Sequence, residues 1–372
     1  MNKQKPSICL NMIVKNESKV ITRCLNSVKD KIDYWVISDT GSTDGTQQII
    51  RDYFAQHNID GILIENEWRD FAHNRNIALE HARDKADYIL IMDADDCLMA
   101  ADDFQFGNLT ADSYNLNIRY NELQYANLKL ISTRLPWKWQ GVLHEYLETN
   151  TPFTNEILQG DYFIRASTEG ARSNDPNKYQ NDANVLIKAL QNEPNNTRYR
   201  FYLAQSYRDA GNAEAAIEHY QQRAAMGGWA EEAWYSLFEI ARLKEQCDHP
   251  SEEIINAYIK AYEYRPQRAE SLYHLARYLR IHNRFALAYP YALVAANTSI
   301  PKDILFVLPE VYRWKAKDEL AVIAYWIEHY QECMDLCDNL LSDPELPAEE
   351  RSRIQQNLQF AADKLVTPVS PS

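Results

Sequence analysis

The chain has 372 residues, 45% apolar and 25% charged, an ordinary globular mixture that excludes a disordered or fibrous chain and predicts two domains. Its formal charge of −14 is shared by both halves of the sequence, which leaves no basic domain and excludes nucleic acid and anionic lipid surfaces as partners. Only 10 glycines against 24 tyrosines predict a helix-rich chain and exclude a glycine-rich β-sandwich.

The N-terminal apolar stretch is broken by Asn11 and closed by Lys15, too short and too polar for a signal peptide. No apolar run reaches the ~18 residues of a membrane span. The six cysteines, Cys9, Cys24, Cys97, Cys247, Cys333 and Cys337, contain no C-x-x-C pair. These features predict a reduced, cytoplasmic protein without a transmembrane segment.

Residues 8–14 form a compact apolar run of β-formers and predict a first strand. A helical period follows through Val20, Ile21, Cys24, Leu25 and Val28. Residues 34–38 predict a second strand, which ends at Asp39-Thr40-Gly41-Ser42-Thr43-Asp44-Gly45. The next segment places Ile49, Ile50 and Phe54 on one helical face. Residues 61–64 read as a third strand, 71–82 as a helix and 88–92 as a fourth strand, ending at Asp93-Ala94-Asp95-Asp96. Short buried strands separated by helices predict an α/β domain with a parallel sheet, whose ligands bind beyond the carboxyl ends of the strands.

From residue 181 the apolar spacing becomes helical. Leu203, Ala204, Tyr207, Gly211, Ala216 and Tyr220 follow the small and large alternation of a tetratricopeptide helix pair. Leu237 lies 34 residues after Leu203, the period of that repeat. Tyr258, Ala261 and Pro266 close the second copy after an insertion near Asp248-His249-Pro250. Leu275, Ala276, Ala288, Ala295 and Pro301 supply a third, and a fourth starts near Ile323. The expected domains are therefore 1–166 (α/β), 167–180 (a linker or lid) and 181–372 (all-α repeats).

Three polar clusters fall at predicted strand ends: Asn16-Glu17, Asp39 with Asp44, and Asp93-x-Asp95. A carboxylate pair there can hold a divalent cation that neutralises a diphosphate. The loop after Asp39 also reads as a turn with a helix cap at Ser42 or Thr43. Further on, Trp137 and Trp139 stand two residues apart. On a strand they face one side and can stack on an acceptor sugar or peptide; packing in the core is the alternative reading.

In this order, Ile13-Val14-Lys15-Asn16-Glu17, Asp39-Thr40-Gly41-Ser42-Thr43-Asp44-Gly45-Thr46, Phe71-Ala72-His73-Asn74-Arg75-Asn76 and Met92-Asp93-Ala94-Asp95-Asp96 resemble the motifs of family 2 glycosyltransferases of the GT-A fold. Trp137 to Glu145 resembles the tryptophan-rich His-Glu segment of some members. The resemblance covers about residues 5–165. It implies a metal-dependent inverting transfer from a nucleotide-diphosphate sugar, with UDP as the common nucleotide. Asn16, Glu17, Asp39, Asp44, Arg75 and Asp93 then match donor-binding positions. Asp95 matches a ligand of Mn2+ or Mg2+, with His144 as a further metal ligand. Glu145 is the candidate general base, with Asp96 and Asp175 as alternatives, because the usual Glu-Asp pattern is absent. Peptide-modifying members are similar in pairing such a domain with a helical extension, which implies a protein, peptide or glycan acceptor. The repeats also leave room for a homo-oligomer. The competing readings are a catalytically inactive tetratricopeptide scaffold and a haloacid-dehalogenase-type phosphatase built on Asp93 and Asp95. A sugar nucleotidyltransferase is disfavoured, since Lys15-Asn16-Glu17 lacks the glycine-rich loop.

Overall fold

The computed structural model describes residues 5–101, 103–120 and 123–366, so the first four residues of the N-terminal stretch weighed above lie outside the described residues. The chain divides into two compact units, 1–194 and 195–372.

The first unit alternates strand and helix as its sequence predicts: β1 (Ile8–Val14), α1 (Ile21–Val28), β2 (Tyr34–Asp39), α2 (Thr46–His57), β3 (Gly61–Glu65), α3 (Phe71–Ala82) and β4 (Tyr88–Ile91). Seven further strands follow: β5 (Cys97–Ala100), β6 (Ser113–Tyr120), β7 (Leu123–Ser132), β8 (Lys138–Gln140), β9 (Tyr146–Glu148), β10 (Asn155–Ile157) and β11 (Tyr162–Arg165). A 3-10 turn (Ala171–Asn174) then leads to α4 (Lys178–Asn192).

Strands β3, β2, β1 and β4 are parallel neighbours. The sheet continues through β7, β6, β11 and β5, with β10 also on β6. Pairings β4–β7, β6–β7 and β11–β5 are antiparallel, so the expected parallel sheet is in fact mixed. The reason is visible in β6, whose burial alternates because one face is only partly covered. By contrast, β1 is buried on both faces. Ile8, Leu10 and Met12 pack with Ile21, Leu25, Ile50 and Phe54 of α1 and α2. Cys9 packs on the other side with Val36, Ile89 and α3 residues Ala72, Leu79 and Ala82. A strand buried on two faces is apolar almost throughout, which is why its sequence reads so clearly; the buried Asn11 within it donates through Nδ2 to Ala78 O at 2.9 Å.

The predicted start of the helical domain, 181, falls inside α4, which belongs to the first unit. Its periodicity is indistinguishable from that of a repeat helix, yet it packs against the 3-10 turn.

The second unit contains α5 (Thr197–Asp209), α6 (Ala213–Ala225), α7 (Ala230–Gln246), α8 (Ser251–Tyr264), α9 (Glu270–Ile281) and α10 (Phe285–Ala296). A π-helical turn (Val311–Lys315) precedes α11 (Ala316–Trp326), α12 (Tyr330–Ser342) and α13 (Ala348–Val366). Consecutive helices pack on one another in the tetratricopeptide-like arrangement that the 34-residue spacing predicts. The fourth hairpin starts earlier than expected, since Ile323 lies within α11. Small residues mark the close crossings: Ala204, Ala216, Ala241, Ala276 and Ala288 are fully buried. Tyr220, Trp234 and Tyr258 fill the remaining gaps and are equally buried. No helix among the described residues is long and apolar enough to cross a membrane.

Candidate active site

The end of β1 and the β2–α2 loop are tied to each other by short polar side chains. Asn16 adopts a left-handed backbone (φ 58°), and its Oδ1 accepts from Thr43 N at 2.8 Å. Asn16 N donates to Ser42 Oγ at 2.8 Å and Glu17 N to Thr46 Oγ1 at 2.9 Å. Asp44 Oδ2 accepts from Ser18 N at 3.0 Å, while Oδ1 accepts from Thr46 N at 3.1 Å and Thr46 Oγ1 at 2.6 Å. Partial burial alone would raise the Asp44 pKa, but these hydrogen bonds to its charged form bring it down to about 2. Both Asp44 oxygens thus serve as a loop clasp. Asp39 differs: Oδ1 accepts from Gly41 N, Ser42 N and Gln47 Nε2 at 2.9, 2.8 and 3.1 Å. Its Oδ2 is buried without a hydrogen-bond partner among the described residues.

Arg75, on the inward face of α3, is 9% exposed. Its Nη2 meets Asp93 Oδ1 at 2.7 Å and its Nε meets Glu145 Oε1 at 2.6 Å. Its guanidinium also lies over the Trp139 ring, 5.1 Å from the centroid. From β7, Lys129 Nζ reaches Asp93 Oδ2 at 3.3 Å. Burial would lift the Asp93 pKa, but Lys129 and Arg75 hold it far below the usual carboxylate range.

Beyond this charge-balanced centre the carboxylates crowd. Burial, and then Asp95, Asp44 and Asp93, push Glu17 up to about 7 despite a hydrogen bond from Ala171. Burial and Asp93 raise Asp95 as well, and carry Asp96 to about 7. The segment after β11 closes on these groups. Gly170 N donates to Asp95 Oδ2 at 3.1 Å, and Ala171 N to both Glu17 carboxylate oxygens at 3.3 Å. Arg23 pairs with Glu169 and donates to Asp95 O at 3.1 Å.

Two cavities share the wall formed by Glu17, Arg75, Asp93 and Asp95. One, about 590 Å³, continues past Asp96, Tyr125, Lys129, Trp139, His144 and Glu145. The other, about 490 Å³, continues past Asn16, Thr40, Trp68, Phe71 and Arg172. Trp68 meets Phe71 edge to face at 4.7 Å, and the Arg172 guanidinium covers the Phe71 ring at 4.6 Å.

Of the predicted site residues, Asn16, Glu17, Arg75, Asp93, Asp95, Trp139, His144 and Glu145 line these cavities, whereas Asp39, Asp44 and Trp137 do not. Trp137 is 2% exposed, donates through Nε1 to Ser132 O at 3.0 Å and packs in the core, so it has no face for an acceptor. Only Trp139 lies in β8 and lines a cavity, which breaks the expected pairing of the two rings. His144, at φ 52°, lines the same wall as Glu145, but no group of three or more His, Cys, Asp or Glu among the described residues is arranged to hold a metal ion. Asp175 lines the second cavity, accepts from Asn177 N and Asn181 Nδ2, both at 2.9 Å, and so also fastens the start of α4. No sequence motif points to Lys129, Trp68 or Arg172, since none lies in a pattern whose chemistry requires its residue type.

Residues 9–103 match the sequence model of Glycosyl transferase family 2, so the α/β unit carries a family 2 glycosyltransferase domain. The SPbeta prophage-derived glycosyltransferase SunS of Bacillus subtilis is 24% identical over 226 residues, 58% of this chain and 52% of that one. A TPR repeat-containing protein of Synechococcus elongatus is 39% identical over 93 residues, 25% of this chain and 21% of its own. The chain thus spans about half or less of the length of these curated relatives. Among solved structures, a tetratricopeptide repeat protein from Parabacteroides merdae is 16% identical, with a TM-score of 0.36 over 52% of this chain and 75% of that one.

Proposed function

We propose that this chain transfers a sugar from a nucleotide-diphosphate donor, with UDP as the nucleotide, to a protein, peptide or glycan acceptor held with help from the helical unit. The observation that carries the reading is the pair of cavities meeting at Arg75, Asp93, Asp95 and Glu17. A transferase needs two substrates to meet at one polar centre, whereas a scaffold has no use for buried carboxylates that repel one another. The family match likewise leaves the phosphatase reading without support.

In this reading the cavity lined by Asn16, Thr40, Trp68 and Phe71 takes the nucleotide, and its aromatic wall suits a base. Asp39 does not itself line this cavity, but the adjacent Thr40 does, and we assign the unpaired Asp39 Oδ2 behind it as the acceptor for a base N–H. Arg75 faces the diphosphate while remaining fixed by Asp93 and Glu145.

The residues also fit a hard divalent cation. A Cβ placed on Gly170 would lie 3.1 Å from Asp95 Oδ2 and 3.3 Å from Glu17 Oε1, so both oxygens face the same glycine. Oxygen donors of this kind suit Mg2+ or Mn2+, and the raised carboxylate pKa values mark a place short of positive charge. Glu17 and Asp95 would hold the ion, with Glu17 in the place first expected of His144. The ion would supply charge neutralisation for the leaving diphosphate.

On the acceptor side Glu145 is held by Arg75 and positions that guanidinium. Asp96 lines the same cavity, has no ion pair among the described residues, and is the group we assign to take the acceptor's proton in a single inverting displacement.

A donor screen tests the reading: the protein is incubated with a nucleotide-sugar panel and Mn2+, and free nucleotide is measured. Release from one donor is expected, with a drop of at least about a hundredfold in Asp95→Ala, the scale of losing a charge-stabilising group. A flat panel, together with no UDP-dependent rise in melting temperature, would leave the inactive scaffold as the better description.

A further inference from the structure

The wall common to the two cavities of the α/β unit carries three carboxylates, Glu17, Asp93 and Asp95, and three cations, Arg75, Arg172 and Lys178. Arg75 and the carboxylates lie within the matched family segment, 9–103. Arg172 and Lys178 lie well beyond it, on the 3-10 turn and at the first residue of α4. A donor with its nucleotide in one cavity and its sugar facing the other brings its diphosphate to this wall.

The three cations differ in what already holds them. Arg75 is engaged by Asp93 and Glu145. Arg172 Nη2 donates to Asp182 Oδ1 of α4 at 2.5 Å while its guanidinium covers the Phe71 ring. Lys178 is partly buried and pairs with no carboxylate among the described residues; its Nζ lies over the Tyr179 ring at 5.3 Å. A cation over an exposed ring is weakly held, so this ammonium can turn to an incoming anion without breaking an ion pair. Its place at the wall is set by two clasps on the first turns of α4. Lys178 N donates to Asp175 O at 3.0 Å, and Asp175 also receives Asn177 N and Asn181 Nδ2. One turn further on, the Arg172–Asp182 pair ties α4 to the 3-10 turn, with the Asp182 side chain only 11% exposed.

We propose that Lys178 binds the diphosphate of the nucleotide-sugar donor through Nζ, and that Arg172 and Asp182 are the pair that positions it. The assignment rests on the reading of the α/β unit as a transferase and adds a donor-binding residue from outside the matched segment. Charge favours it: the wall already holds three carboxylates, a diphosphate adds more negative charge, and Lys178 is the cation there that no carboxylate neutralises. An ammonium recognises phosphate as a point charge and needs no fixed planar geometry, which suits a side chain that swings from Tyr179 to the donor. When the bond between sugar and phosphate breaks, negative charge grows on the leaving phosphate oxygen, and an ammonium beside it lowers the cost.

The test is calorimetry on the full chain with UDP and with uridine, each in the presence of Mn2+. Lys178→Gln should weaken UDP at least about tenfold and leave uridine within about twofold, because only UDP carries the group that Lys178 holds. Lys178→Arg should recover part of the loss. Lys188→Gln removes the same charge from an exposed position further along α4 and should change neither affinity. Asp182→Asn should also weaken UDP, but add little when combined with Lys178→Gln, since a positioning residue acts through the group it positions. Circular dichroism of the Lys178 variants should match the wild type. Unchanged UDP affinity in Lys178→Gln, an equal loss for uridine, or an equal loss in Lys188→Gln would overturn the assignment of Lys178. Losses from Asp182→Asn and Lys178→Gln that simply add would overturn the positioning role. Failure of the wild type to bind UDP at all would count against the donor reading itself and take this assignment with it, whereas UDP binding indifferent to Lys178 counts against the assignment alone.

Discussion

The two carboxylate oxygens of Asp39 have different surroundings, and that difference makes a sharp experiment. Oδ1 is filled by two backbone amides and Gln47, whereas Oδ2 is buried without a partner among the described residues. An unpaired buried acceptor costs about 1–3 kcal/mol, which a ligand N–H placed there would recover. Asp39→Asn keeps an oxygen for the amides and turns the other position into a donor. The expected result is a rise of at least about tenfold in the Kd for UDP, ~1.4 kcal/mol, with little change in melting temperature. Unchanged UDP affinity by calorimetry would remove Asp39 from base recognition. The acidic positions stand out in the sequence because they cluster at strand ends, although Asp44 and one oxygen of Asp39 also hold the β2–α2 loop together. Lys129 does not, because its role arises from β7 lying beside β4, a pairing that no local pattern announces. Trp137 and Trp139 show the same limit from the other side. Residue type and spacing treat them alike, and only tertiary packing sends one ring into the core.

At the scale of elements, the segment between β11 and α4 changes from connector to part of the site. Its sequence is polar and glycine-containing, which fits a linker and a lid equally well. In the fold, its amides at Gly170 and Ala171 cover the carboxylates of Asp95 and Glu17. Gly170 has φ −62° and ψ 158°, which any residue adopts, so alanine there meets no backbone strain. Its added methyl would instead press on Asp95 Oδ2 and Glu17 Oε1. Gly170→Ala is therefore expected to cost about 1 kcal/mol or less in stability while blunting the response to Mn2+ with UDP. An ion at a hundredfold its Kd stabilises by ~2.7 kcal/mol, and a tenfold weaker site would halve that gain. A thermal-shift titration reads the difference, and an unaltered Mn2+ response would show that these two oxygens do not share the ion. Three later strands, β10 of the main sheet and the pair β8 and β9 that form a separate two-stranded sheet, escaped the sequence for a related reason. Strands β1 to β4 are continuous apolar runs, whereas β8, β9 and β10 have three residues each, too few to display a period.

At the scale of the whole molecule, the two units carry buried titratable groups of opposite kind. In the helical unit His274 is held near pKa 3 by burial and by Arg242, Arg277 and Lys315, with Tyr258 of α8 stacked on its ring. An unfolded chain protonates histidine near 6.5, so between about pH 6.5 and 3 it binds a proton that the folded unit refuses. Stability from this group is complete above pH 6.5 and falls as acid is added, by at most about 2 kcal/mol at pH 5. In the α/β unit Glu17 and Asp96 titrate near 7 when folded, above their unfolded values, so acidification through the same window favours the folded unit. A single melting temperature would average these opposing signs. Comparison with His274→Gln separates them, because the carboxylates are common to both proteins. In metal-free buffer the wild type should lose more stability than His274→Gln between pH 7.5 and 5, as read by the helical circular dichroism signal. Parallel losses in the two proteins would mean that the imidazole is protonated in the folded state.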